Sequence, residues 1–179
     1  MGLKDWLIVL VAALALTFVL KTFVFELAQV RGESMSACLH NGNRIYVEKL
    51  VFRFRGPQRG DIVMCYYTKF DNARYGKRTY FYIKRVIGLP GDTVRIEGSQ
   101  VYINDELYDE PYLSEKAKKA YVADQTYQVP QGQYFVMGDN RGQSEDSTDD
   151  RVGFIPRQDI LGRGLFRLWP LDQISSITN

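Results

Sequence analysis

Ser34 and Lys84 are the two residues whose types and surroundings could do chemistry together. Ser34 lies in GESMSACL, residues 32–39, between a long apolar run and the first convincing strand. A serine is a weak nucleophile until a base takes its proton, and a lysine can be that base only when it is uncharged. Lys84 lies in YFYIKRVIGLPGD, residues 80–92, where apolar and aromatic neighbours can lower its pKa through desolvation. On this segment alone, a solvated lysine on a strand face is the alternative.

Other kinds of functional site find less support. The single histidine, His40, lies six positions from Ser34 in a polar, turn-like stretch, which is more typical of a solvated loop than of a triad base. With one histidine and no CxxC or HExxH motif, we expect no metal site and no cofactor. A net charge of +2 without a basic cluster argues against nucleic acid as a partner. Cys38 and Cys65 are expected to be buried free thiols, although a single bridge between them stays open.

The elements that must position these residues are mostly strands. The 179 residues are 45% hydrophobic and 13% aromatic, which is enough for a core rich in strands. Short segments between turn signals are predicted as strands: 44–49, 61–67, 79–86, 93–96, 100–103, 133–137 and 160–170. Residues 93–133 are interpreted as a small inserted lobe, less hydrophobic and more mobile than the rest, with one or two helical turns from Ser114. The expected fold class is mostly β.

An apolar run near the amino terminus predicts a membrane anchor. Residues 6–20 (WLIVLVAALALTFVL) carry no charge, and the run extended to residue 25 makes about 30 Å of helix. A cleaved signal peptide is the alternative, but the run is long for one and the tip carries little positive charge. We expect an anchor over residues 1–27, with a transmembrane helix at about 6–25, and a catalytic β domain over 28–179. The few flanking charges do not fix the orientation.

A third segment, GDNRGQSEDS at residues 138–147, completes a set of motifs. The set resembles the bacterial type I signal peptidase (leader peptidase) family, in its Gram-positive single-anchor form. That family has Ser-Met-x-Pro-Thr-Leu around its nucleophile, Lys-Arg-x-x-Gly-x-Pro-Gly-Asp around its base and Gly-Asp-Asn-Arg-x-x-Ser-x-Asp-Ser-Arg near its end. The second motif is complete here over residues 84–92, and RGDIV at 59–63 matches a further family segment. The motifs occur in the family's order and cover nearly the whole chain.

The resemblance implies a role for each matching residue. Ser34 would be the nucleophile and Lys84 the general base of a Ser-Lys dyad. Ser144 would orient the lysine amine, and the backbone amide of Ser34 with the Gly32 region would line the oxyanion hole. Shallow apolar pockets for small side chains would be lined by Val30, Met35, Leu39, Tyr82 and Ile83, for which ordinary core is the alternative.

The resemblance also implies a structural ion pair and exposes three departures. Arg85 and Asp146 would form the ion pair. The family proline is Ala37 here, which frees the backbone after the nucleophile, and the family threonine is Cys38, which removes a possible hydrogen bond. The arginine expected after Ser147 is Thr148, with Arg151 as a candidate replacement. None of these changes removes a catalytic group, so activity is expected, with a narrow or specialised substrate set.

The function implied is that of a membrane-bound serine endopeptidase, a signal peptidase I. It would remove signal peptides from exported preproteins after small residues of the Ala-x-Ala type. Its partners would be the signal peptides of secreted preproteins and the lipid bilayer, with no nucleic acid and no metal. The chain would cross the cell membrane once, with its catalytic domain on the extracytoplasmic side. The altered motif around Ser34 leaves an alternative, a non-catalytic or specialised relative that assists assembly of surface proteins or pili.

Overall fold

The fold is mostly β, as expected. The computed structural model describes residues 2–76, 80–114, 117 and 124–178. The α-helices are Leu3–Val19 (α1), which continues as a π-helical turn over Leu20–Val24, and Thr68–Tyr75 (α2). The strands are Phe25–Gln29 (β1), Arg44–Glu48 (β2), Ile62–Tyr66 (β3), Phe81–Gly88 (β4), Thr93–Glu97 (β5), Gln100–Ile103 (β6), Glu106–Leu107 (β7), Gln125–Gln128 (β8), Gln133–Met137 (β9), Ile155–Pro156 (β10), Ile160–Trp169 (β11) and Ser175–Ser176 (β12). Single 3-10 turns lie at Val51–Arg53, Arg141–Gln143, Arg157–Asp159 and Leu171–Gln173.

The larger sheet brings the lysine motif next to the third motif. Its order is β1-β2-β11-β3-β4-β9-β10, with β12 paired to β11, and its pairs are antiparallel. The register sets Val63 of β3 opposite Lys84, and Met137 of β9 opposite Arg85. Because β9 ends at Met137, the loop over residues 138–147 leaves the sheet immediately beside Lys84.

The central strands are buried on both faces, which explains their continuous apolar sequences. Successive side chains of a strand point to opposite sides of a sheet. In β3, Val63 and Cys65 therefore join one hydrophobic cluster, whereas Ile62 and Met64 join another on the opposite face. A sheet with a core on each side holds the residues at its centre away from water, and Lys84 lies in this central region.

The predicted lobe forms a second sheet, in the order β7-β6-β5-β8. Its first hairpin turns at Gly98 and Ser99, which confirms the turn predicted there. Buried lobe residues share one cluster with Phe135 of the larger sheet, so the lobe is packed onto the domain. Gly88 lies at the junction, where a Cβ atom would come 2.6 Å from Val94 Cγ2, so only glycine permits this approach. The helical turns predicted from Ser114 fall mostly outside the described residues.

One helix in the described part of the chain is long and apolar enough to cross a membrane. It is Leu3–Val24, with a mean hydropathy of 2.6 over its most apolar window and none of that window buried. Its 22 residues make about 33 Å at 1.5 Å per residue. The helix begins three residues before the predicted start, and β1 follows it directly. The boundary predicted at residue 27 thus falls inside a strand that pairs with β2.

A lysine ties the end of this helix to the sheet. Lys49 Nζ donates to the carbonyl oxygen of Lys21 at 2.9 Å and to the Glu26 carboxylate at 2.9 Å. A cation near the C-terminal carbonyl groups of a helix is favourable, because those groups carry partial negative charge. The helix therefore joins the domain through a defined contact.

Candidate active site

Lys84 lies in β4 with only 2% of its surface exposed. Burial lowers the pKa of Lys84, and the negative charges of Asp146 and Glu145 act in the opposite direction. Cys65, also near the amine, stays a neutral thiol because burial raises its pKa to about 12. A buried lysine whose pKa is depressed can present a free amine, which is the property predicted for the base.

Ser34 lies in the turn that follows β1, and Asn140 of the third motif holds that turn. The Asn140 N–H donates to the Ser34 carbonyl oxygen at 2.9 Å. The Asn140 side-chain amide donates to the Glu33 carbonyl oxygen and to Ser36 Oγ, each at 2.9 Å. The Ser34 N–H itself donates to no acceptor within the described ranges. The loop that emerges beside Lys84 therefore fixes the segment that carries Ser34.

Gly138 is the point at which the two loops touch. A Cβ atom at this position would lie 2.6 Å from Ser144 Cβ, and nearer still to Ser144 Oγ and to the carbonyl oxygen of Ser34. Van der Waals contact needs at least 3.4 Å here, so the backbone segments pack directly against each other. Glycine at 138 is thus a packing requirement of the site.

Ser144 carries a buried hydroxyl whose hydrogen bond is not made in this state. Its Oγ has no partner among the residues that the structure describes, so the predicted bond to the Lys84 amine is not formed here. Leaving a buried hydroxyl without a partner costs about 1–3 kcal/mol. The hydroxyl is therefore poised to accept or donate a hydrogen bond when a group moves within reach.

The predicted ion pair between Arg85 and Asp146 is wrong, because Arg85 pairs with Asp139. Arg85 Nε donates to Asp139 Oδ1 at 2.9 Å and Nη2 donates to Oδ2 at 2.8 Å, with both side chains 1% exposed. Neighbouring side chains on a strand point to opposite faces. Arg85 and Lys84 therefore face different sides of the sheet, and the Asp146 carboxylate is occupied by other donors.

Asp146 instead stabilises the loop. Its carboxylate accepts hydrogen bonds from the Gly138 N–H at 2.8 Å, the Thr148 N–H at 3.1 Å and Thr148 Oγ1 at 2.8 Å. Thr148 thus takes a structural role at the position of the expected arginine. Arg151, the candidate replacement, lies exposed, where it pairs with Asp149 and, at 3.9 Å, with Glu145 of the third motif.

Cys38 keeps a hydrogen bond at the position of the family threonine. Its Sγ donates to Asp139 Oδ2 at 3.1 Å, next to the Arg85 ion pair. The expected loss of a hydrogen bond at this position is therefore wrong. Burial and the Asp139 charge raise the pKa of Cys38, which keeps it a thiol. Cys38 and Cys65 are both free, as expected, although Cys38 is only partly buried.

Ser34 and Lys84 line one cavity of about 700 Å³. No hydrogen bond joins Ser34 Oγ to Lys84 Nζ in this state. Of the predicted pocket residues, four line this cavity: Val30, Met35, Tyr82 and Ile83. Its other walls come from Glu26–Arg31 and from Tyr80 and Phe81.

The predicted site residues that do not line this cavity are Gly32, Leu39, Arg85, Ser144 and Asp146. Leu39 has no exposed surface and packs in the core beneath Met35, so its assignment to a substrate pocket is wrong. The Gly32 N–H donates to Asn41 Oδ1 at 3.3 Å, which directs it away from the serine. Gly32 has a φ of +84°, a conformation that other residues rarely adopt, so its contribution is to the shape of the turn.

The family model for signal peptidase, peptidase S26, matches residues 3–169. The chain belongs to this family. It is 38% identical over 177 residues to signal peptidase I P of Bacillus subtilis subsp. natto, covering 95% of this chain and 91% of that protein. It is 38% identical over 181 residues to signal peptidase I of Bacillus licheniformis, covering 97% and 92%. A crystal structure of a signal peptidase I from Enterococcus faecalis aligns with a TM-score of 0.48 at 35% identity, covering 61% of this chain and 97% of that one.

The family motifs contained residues to which sequence reasoning gave no role. Asp139 and Asn140 were both visible in the third motif, but no pattern showed that one binds Arg85 and the other binds the Ser34 turn. Such roles depend on side-chain direction across three segments distant in sequence. The peptidase assignment is confirmed, and the partners of individual motif residues needed the structure.

We predict that Gly138→Ala disables the site. The new methyl group must separate the Ser34 and Ser144 segments, so peptidase activity should fall more than about 100-fold, as a misplacement on the order of 1 Å can cause. The free energy of unfolding should fall by about 1–3 kcal/mol through overpacking. Gly164→Ala is the control, since its Cβ would meet only side-chain ends, Ile177 Cδ1 at 3.0 Å, Ile62 Cγ2 at 3.5 Å and Ile45 Cδ1 at 3.6 Å. Parental activity in Gly138→Ala would contradict the packing requirement.

Proposed function

We propose that this protein is a membrane-anchored serine endopeptidase that removes signal peptides from exported preproteins with a Ser34–Lys84 dyad. The observation that carries the proposal is a lysine, 2% exposed and with a lowered pKa, that shares a cavity with a serine. Family membership supplies the reaction class, peptide hydrolysis.

The chemistry assigns each proton to a group. Ser34 Oγ attacks the scissile carbonyl carbon while the neutral Lys84 amine takes the hydroxyl proton. The ammonium then protonates the leaving amine as the peptide C–N bond breaks, which leaves an acyl-enzyme ester. Lys84, neutral again, takes a proton from water as the water oxygen attacks the ester carbonyl carbon. The ammonium then returns this proton to Ser34 Oγ as the ester C–O bond breaks, which releases the signal peptide acid and restores the enzyme. The Ser34 N–H is available for the oxyanion, and Ser144 Oγ for the lysine amine.

The cavity suits an extended peptide with small side chains. It lies between β1 and the first half of β4, and β4 pairs with β9 only from Arg85 onward. An extended substrate could add backbone hydrogen bonds at these strand edges. The apolar wall of Val30, Met35 and Ile83 beside Ser34 supports cleavage after small residues, as in the Ala-x-Ala pattern.

The helix supports a single-pass location in the cell membrane, and the family resemblance is the ground for placing the domain on the extracytoplasmic side. Its apolar surface is exposed over the whole span, and β1 begins directly after it. The cavity is lined by this same strand. The active site would thus lie close to the bilayer surface, where the cleavage region of a signal peptide emerges, which raises the effective substrate concentration.

We predict that Ser34→Ala and Lys84→Met each lower cleavage of a secretory precursor by at least about 10³-fold, because each removes one member of the reacting pair. Methionine preserves the volume of the buried side chain. Purified proteins in detergent would be assayed by precursor processing, with His40→Ala as a control of parental activity. Equal processing by all of them would contradict the dyad, and no processing by any would favour the non-catalytic assembly factor.

We predict that activity rises with pH through the pKa of Lys84, because only the free amine is a base. Glu145→Gln removes a negative charge that raises this pKa, so the rise should move to lower pH. Glu106→Gln, an exposed carboxylate in β7, serves as the control and should leave the profile unchanged. The measurement is kcat/KM between acid and alkaline pH. A profile that is flat, or one that moves to higher pH in Glu145→Gln, would contradict the assignment.

A further inference from the structure

The segment over Glu110–Tyr112, at the base of the lobe, contacts two arginines of the motif region. The Glu110 carboxylate is 6% exposed and forms a two-point ion pair with Arg141, in which Arg141 Nη1 donates to Glu110 Oε2 at 2.9 Å. The Tyr112 hydroxyl donates to Glu110 Oε1 at 2.6 Å. The Tyr112 ring in turn covers Arg85, with its centroid 3.8 Å from the guanidinium carbon. One short segment of the lobe thus contacts both guanidinium groups.

Both arginines act on the loop that fixes the nucleophile. Arg141 Nε donates to the carbonyl oxygen of Gly138 at 3.1 Å, and Gly138 is the contact point between the Ser34 and Ser144 segments. Arg85 holds Asp139, the next residue along the loop. The path from Glu110 to the Ser34 turn therefore runs through buried hydrogen bonds and one packed glycine.

We propose that Glu110 and Tyr112 are positioning residues, through which the lobe holds the Gly138–Asn140 segment and the Ser34 turn in catalytic geometry. The inference rests on the proposed function. A buried ion pair adds little net stability compared with an apolar substitute, so its main effect here is to fix direction. Without the Glu110 carboxylate, the Arg141 charge would be buried and unpaired. Its side chain would turn towards water and release the Gly138 carbonyl oxygen.

Loss of the Glu110 carboxylate should lower kcat and leave KM largely unchanged. The cavity walls come from β1 and β4, whereas the lobe segment contacts the loop that holds the reacting serine. Glu110→Gln should lower kcat by about 10- to 100-fold, the range for a displacement on the order of 1 Å, and change KM less than about twofold. Glu110→Asp, which retains the charge, should recover part of the loss. Asp109→Asn removes an exposed neighbouring carboxylate and should match the parent.

Cys38 offers a second readout that needs no enzymatic activity. Its thiol donates to Asp139, so it is protected only while the Arg85–Asp139 arrangement is in place. Glu110→Gln should increase the rate at which an aromatic disulfide reagent labels Cys38 by at least about fivefold, through local opening, with the site identified by mass spectrometry. Cys65, with no exposed surface, should label no faster.

The experiment measures kcat, KM, thermal unfolding and Cys38 labelling on the full-length chain in detergent. A lower kcat with faster Cys38 labelling in folded Glu110→Gln supports the proposal. A lower melting temperature alone, with kcat and labelling within twofold of the parent, overturns it. If Glu110→Gln does not fold, Tyr112→Phe is the variant that tests the proposal, since it removes one hydroxyl and keeps the ring over Arg85. A parental kcat and a parental labelling rate in Tyr112→Phe would overturn the proposal. An inactive parent would refute the proposed function, while the labelling comparison would still test the positioning role.

Discussion

The rest of the site depends on the burial of the Lys84 amine in a sheet that has a hydrophobic cluster on each face. An ammonium group at 2% exposure loses most of its hydration, which disfavours the charged form and lowers its pKa. An ordinary β-sheet would place a lysine at its edge or on a wet face. Here the larger sheet is covered on both sides, and the carboxylates of Asp146 and Glu145 only partly oppose the desolvation. The fold thereby accepts the cost of burying a lysine, and the result is an amine with a lowered pKa.

The proposed base can act only if Ser34 lies nearby, and two loops distant in sequence place Ser34 in the cavity that Lys84 lines. The loop after β9 holds the Ser34 turn through Asn140, and Gly138 lets the two backbones touch. The ion pair of Arg85 with Asp139 anchors the loop on the opposite face of the sheet from Lys84. Lys84, the proposed base, and the adjacent Arg85 thus have different partners, because the side chains of one strand alternate between its two faces.

Much of the fold could be predicted from the sequence, because strands and motifs are visible as local patterns of residues. The segments predicted at 44–49, 61–67 and 133–137 match observed strands to within one or two residues. Strand β1 was missed because its residues continue an apolar run that looked like the end of the anchor. Helix α2 was missed because TKFDNARY lacks apolar periodicity, and only Gly76 at its end, with a φ of +72°, marks it.

In the site, too, residues within a motif could be predicted from the sequence, whereas contacts between distant segments could not. Residue type and surroundings made Ser34 and Lys84 candidates, and the family resemblance implied the role of Ser144. The partner of Arg85 was not identified, because two acidic residues of one motif were equally available in sequence and only strand direction distinguishes them. Leu39 was wrongly assigned to a substrate pocket because sequence spacing does not show which side chains of a turn face the cavity. Met35 reaches the cavity, while Leu39 packs in the core.

The proposed Ser34–Lys84 dyad requires that burial lowers the pKa of Lys84, because only the neutral amine can take the serine proton. The most direct measurement is the titration of the Lys84 side chain by NMR of isotope-labelled lysine, with its signal assigned by its absence in Lys84→Met. We predict that the pKa of Lys84 lies well below the usual lysine value of about 10.4. A titration at or above that value would contradict it, since a lysine charged at neutral pH could not take the proton from Ser34.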